Sequence, residues 1–92
     1  MDTKEQFDSL EDGNYEFSDI PENERLNVDR MLCGLLKAQL LMKSPEKFWL
    51  KVYAEHDIIY FQAPDEISEE DAIYLKRCGV FYNDENSLAF FK

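Results

Sequence analysis

Glycine, proline and cysteine are scarce in this 92-residue chain, at three, three and two residues. Gly13, Gly34 and Gly79 stand alone, so there is no glycine-rich loop to cradle a phosphate. Cys33 and Cys78 are too few for the disulfide framework of a small secreted domain, and no CxxC occurs. The only histidine, His56, is remote in sequence from both cysteines, so no zinc site is expected. The acids between 65 and 71 lack the alternating ligands and the glycine of a calcium loop. Apolar runs are only a few residues long, against about 20 for a membrane span. The first ten residues have neither a basic start nor an apolar stretch, so no signal peptide is expected. A cytoplasmic location is the expectation, with no metal and no cofactor.

Basic residues are the other shortage. Ten Lys and Arg face twenty Asp and Glu, for a net charge of −10. Such a surface repels nucleic acid and anionic membrane and attracts basic protein surfaces. What the chain does have is apolar material: 45% hydrophobic residues, 14% aromatic. That is enough for one core, and the length fits one domain.

The charge is unevenly spread. Residues 1–19 hold seven acids and one base, Lys4. They read as an acidic N-terminal arm, partly flexible and ordered from about Tyr15 onward. Residues 20–92 read as a single α+β domain. A helix is expected over 21–43, where Leu26, Met31, Leu32, Leu35, Leu36, Leu40 and Met42 recur at helical steps. Gly34 within it suits a close backbone contact. Residues 48–54 alternate as a strand, with Phe48, Leu50, Val52 and Ala54 opposing Trp49, Lys51 and Tyr53. Residues 57–63 return as a second strand after a Glu55-His56 turn. Ser68 opens a second helix, with Asp71 at capping-box spacing and Gly79 as its left-handed end. A hairpin of 80–82 and 87–91 closes the chain. The order helix-hairpin-helix-hairpin suggests a four-stranded antiparallel sheet with two helices on one face.

Catalytic chemistry finds little support. His56 is the one candidate general base, and it falls in a hairpin turn with no nucleophile motif nearby. No catalytic residue is assigned. The aromatics near the hairpin resemble the stacking platform of an RNA-binding module, but only Lys47 and Lys51 flank them, and direct nucleic-acid binding is not expected.

Two features rise above this background. The first is the acidic run Asp65, Glu66, Glu69, Glu70 and Asp71, which joins Glu11 and Asp12 of the arm as a candidate surface for a basic partner. Dense carboxylates can imitate phosphates and occupy the basic groove of a nucleic-acid-binding protein. In size and charge the chain resembles small phage-encoded inhibitors of host nucleases, anti-CRISPR proteins among them. That likeness is one of composition and rests on no motif. The second feature is a surplus of aromatics, with Trp49 and Tyr53 as candidate contacts on an open sheet face that suits a partner or a homodimer. The leading expectation is a non-enzymatic protein-binding protein of the inhibitor or mimic type. An adaptor using the aromatic face is second, and a small enzyme or ligand-binder centred on His56 is third.

Overall fold

The structure is a computed structural model that describes residues 2–11, 13–84 and 86–91. Helix α3 (Glu69–Arg77) follows most directly from its own side chains. The Ser68 hydroxyl accepts the Asp71 N–H at 3.2 Å, which satisfies one donor of the first turn. Gly79 ends the helix at φ 84, a conformation open to glycine. Only the Ser68 half of the expected capping box forms. The Asp71 carboxylate instead meets Lys37 of the preceding helix at 2.9 Å.

That preceding helix, α2 (Arg30–Leu40), is half the length expected for 21–43. Local polar side chains decide this. Asn27 accepts the Asp29 N–H at 2.8 Å, and Asp29 in turn caps the Leu32 N–H at 3.0 Å. Such side-chain bonds compete with helical ones and favour a start at Asp29. Upstream the backbone makes two short 3₁₀ turns, Phe17–Asp19 and Glu22–Glu24, separated by extended residues. Tyr74 of α3 anchors this stretch, donating its hydroxyl proton to the Glu24 carbonyl (2.8 Å) and accepting the Leu26 N–H (3.2 Å). Gly34 lies against the end of α3. A Cβ there would sit 3.2 Å from the Cys78 Cβ and 3.3 Å from a Val80 methyl, tighter than ordinary contact.

The strand expected over 48–54 is mostly a 3₁₀ helix, Pro45–Lys51. Proline is well placed to start it. Three residues per turn replace the strand's two, so Phe48 is buried while Leu50 is 82% exposed. Only Tyr53–Glu55 remain as strand β1. It pairs with β2 (Ile58–Gln62), which pairs with β4 (Ser87–Phe91), which pairs with β3 (Phe81–Tyr82). The sheet is four-stranded and antiparallel in the order β1-β2-β4-β3.

Register sorts the side chains. Phe61 opposes Leu88 and Ile59 opposes Phe90 across β2 and β4. Phe61, Leu88 and Phe90 join Cys33, Leu35 and Ala38 of α2 and Ala72 and Leu75 of α3 in one buried core. The Phe61 ring packs against Phe48 and Phe90, each at 5.8 Å. The molecule is thus a small α+β domain around this sheet.

Order begins earlier in the chain than Tyr15. Helix α1 (Thr3–Ser9) opens with a reciprocal cap: Asp2 accepts the Glu5 N–H at 2.8 Å and Glu5 accepts the Asp2 N–H at 3.3 Å. Phe7 is 4% exposed and packs near Tyr82 at 6.4 Å. The buried Thr3 hydroxyl donates to the Pro64 carbonyl. Glu5 and Asp8 are therefore carried on a helix that is tied to the core, because Phe7 supplies apolar surface that a solvated arm would leave in water.

Candidate functional site

The side of the sheet opposite the Phe61 row carries a second set of aromatics. Tyr53 opposes Tyr60, Tyr60 opposes Ala89, and Ala89 opposes Phe81, which makes one row across all four strands. Glu55, Ile58 and Phe91 form the next row, and Gln62 and Ser87 lie on the other flank. The Tyr53 and Tyr60 rings stack at 5.0 Å with 20° between planes, and Phe81 and Phe91 meet at 5.2 Å and 30°. Ala89 is fully buried between these pairs, whereas Tyr53 is 55% and Phe91 59% exposed. The result is an aromatic band with small Ala89 at its centre, bordered by a carboxylate on one side and amide and hydroxyl groups on the other.

Of the two aromatics expected at a partner surface, the structure puts Tyr53 in this band. Trp49 falls in the 3₁₀ segment instead, with its ring edge-on to Phe48 at 5.3 Å. The reason is the lost alternation over 48–52. Tyr60, Phe81 and Phe91 were not singled out as contacts. Alternation in 58–62 already puts Ile58, Tyr60 and Gln62 on one side. Which side that is, and that Phe81 and Phe91 share it, depends on pairing between residues some 30 apart.

The acidic residues are placed differently. Asp65 and Glu66 are exposed just before α3, and Glu69 and Glu70 are exposed on its first turn. Asp71 is drawn away by Lys37, and Lys43 approaches Asp65 at 3.9 Å. Asp2 pairs with Glu66 in an isolated antiparallel bridge, and the Thr3 N–H bonds the Asp65 carbonyl at 3.3 Å. The start of α1, with Asp2 and Glu5, is thereby brought beside the run. Glu11 is exposed beyond the other end of α1, away from this junction, and Asp12 lies outside the described residues. The carboxylates at 65, 66, 69 and 70 are thus the solvent-facing part of the expected ridge, Asp65 with Lys43 beside it.

His56 is exposed in the two-residue loop between β1 and β2, at φ 57, with Glu55 and Asp57 as its chain neighbours. Buried Cys33 and Cys78 lie beside half-buried Tyr74, with Cys33 Sγ 3.1 Å from the Tyr74 hydroxyl. Burial, then the neighbouring Cys33, pushes the Cys78 thiol well above its usual range, which keeps it protonated and unreactive. Burial likewise raises the Tyr74 hydroxyl. Among the described residues, no group of three or more His, Cys, Asp or Glu is placed to hold a metal ion, and no helix is long and apolar enough to cross a membrane.

No protein-family model, no curated protein and no solved structure matches the chain.

Proposed function

We propose that this protein is a non-enzymatic protein-binding module that docks its partner on the aromatic face of the sheet. The helices are read as covering the Phe61 side, so the Tyr53–Tyr60 and Phe81–Phe91 pairs are left for the partner. The observation that carries this reading is the two ring pairs around buried Ala89, one stacked and one tilted, with Tyr53 and Phe91 more than half exposed. Tyrosine and other aromatics in a rigid patch concentrate interface energy at low entropic cost. The net charge of −10 argues for a basic protein surface over nucleic acid as the occupant, although stacked rings on a sheet suit either.

A second reading is favoured by one observation, the bridge between Asp2 and Glu66 that gathers two acidic stretches. In it, Glu66, Glu69 and Glu70 imitate phosphates and the protein inhibits a nuclease or another nucleic-acid-binding protein.

Affinity capture at low and high salt separates the two, using the intact chain as bait. The aromatic reading expects the captured partner to survive high salt and to be lost with Tyr53→Ser plus Phe91→Ser. The mimic reading expects loss at high salt, and loss with Glu69→Lys plus Glu70→Lys. Retention of the partner by the Tyr53→Ser, Phe91→Ser variant would sink the first reading.

A further inference from the structure

Hydrogen-bond parity shows which backbone groups of the sheet have no partner strand. The Ala63 N–H donates to the Asn86 carbonyl at 3.0 Å, just beyond the paired ends of β2 and β4. In an antiparallel ladder bonded pairs alternate with unbonded ones, so Ile59 and Phe61 also bond toward β4. Ile58 and Tyr60 then bond toward β1, where they face Glu55 and Tyr53. Ala54 sits between them, opposite Ile59, and its N–H and C=O both point away from the sheet. All three residues of β1 are exposed.

The opposite edge is arranged differently. The Asn83 N–H bonds the Ser87 carbonyl at 2.8 Å, so by the same parity Tyr82 is the outward-facing residue of β3. There α1 lies close, with the buried Phe7 against the Tyr82 ring. Sheet edges in natural proteins are commonly covered or otherwise blocked. Here α1 lies beside β3, whereas every residue of β1 is exposed.

We propose that the outer edge of β1 accepts an extended, basic segment of the partner protein as a fifth strand, bonded to Ala54 and continuing the aromatic face. This rests on the protein-binding reading above and names the mode of docking. Strand addition supplies backbone bonds, and alternate side chains supply selectivity. The side chains next in line on the aromatic side are Tyr53 and Glu55. A lysine or arginine of the incoming strand meets the Glu55 carboxylate, with Asp57 one turn residue further on, and its cation lies near the open Tyr53 ring. A second copy of this chain is the poorer occupant, because each copy carries a net charge of −10.

The test is a titration of isotope-labelled protein with a synthetic hexapeptide of alternating lysine and valine, read by amide exchange and chemical shift. The Ala54 amide is expected to exchange freely without peptide and to slow by about tenfold or more when peptide is bound. The same peptide methylated on alternate backbone nitrogens is expected to give no protection. Ala54→Pro removes only an outward donor, at a position where an edge strand tolerates proline; because proline has no amide of its own, it is read at Tyr53 and Glu55, where the peptide-induced shifts should be abolished with the fold retained. Should that variant unfold, the methylated peptide still decides the matter. Shifts at Tyr60, Phe81 and Phe91 without protection of Ala54 would overturn the edge while leaving the aromatic face standing. Protection of Ala54 that grows with protein concentration before peptide is added would assign the edge to a second copy. Shifts confined to residues 65–70, or none, would overturn strand addition outright.

Discussion

Phe61 and Tyr60 are neighbours in β2, and they meet opposite fates. Phe61 is 1% exposed, gripped by Phe48 and Phe90, while Tyr60 looks out beside Tyr53. The two faces of the sheet are both aromatic. What separates them is what else arrives. Phe61 shares one buried cluster with Leu35 and Ala38 of α2, Leu75 of α3 and Phe48 of the 3₁₀ segment. On the other side, Tyr53 stacks on Tyr60 and Phe81 meets Phe91 at a tilt, so these rings partly shelter one another. Aromatic content therefore does not distinguish core from surface here; the partners supplied by the rest of the chain do.

The comparison can be broken at its strongest point first. Phe61→Ala should cost about 3–5 kcal/mol, as for other buried phenylalanines, measured by urea denaturation. A loss comparable to that of an exposed residue would mean that the Phe61 side is not the core.

Alkaline titration reaches the same side by another route. The folded state holds the Cys78 thiol and the Tyr74 hydroxyl protonated above their usual ranges, mainly through burial. The unfolded chain releases these protons first, at about pH 8.5 for a thiol and about pH 10 for a tyrosine. Stability from this source is complete below about pH 8.5 and falls as pH rises beyond it. The urea midpoint should therefore decline between about pH 8.5 and 11, and Cys78→Ala should remove the earlier part of that decline.

A smaller effect tests whether α1 belongs to the core. Thr3→Val leaves the buried Pro64 carbonyl without its donor and should cost about 1–3 kcal/mol. If thermal unfolding is unchanged, α1 is not anchored through that bond. The smallest change in stability belongs to the aromatic face: Phe91→Ser should alter it by about 0.5 kcal/mol or less. A large loss there would identify Phe91 as part of the core and remove it from any binding surface.

Different parts of the chain were legible to different degrees. Helix α3 could be placed to within a residue, because Ser68 and Gly79 act on backbone groups next to them. Residues 58–62 alternate and do form a strand. Helix α2 is shorter than its apolar pattern implies, since Leu26 fits a helical pattern while Asn27 and Asp29 bind the backbone in a way that excludes the helix upstream. Residues 48–51 alternate like a strand and form 3₁₀ turns, because burial of Phe48 against Phe61 outweighs weak strand preference. Of the candidate contacts, Tyr53 was reachable from alternation, whereas Phe81 and Phe91 depended on register across β4.

The amino-acid sequence by itself determined the acidity, the α+β class and the caps of α3, because each is a sum over residues or a bond between near neighbours. Tertiary structure alone decided that Phe7 is core, that Asp2 lies beside Glu66, and that Tyr60 and Phe81 share a face across Ala89. Those outcomes are set by which distant segments compete to cover the same apolar surface, and no local pattern records the result of that competition.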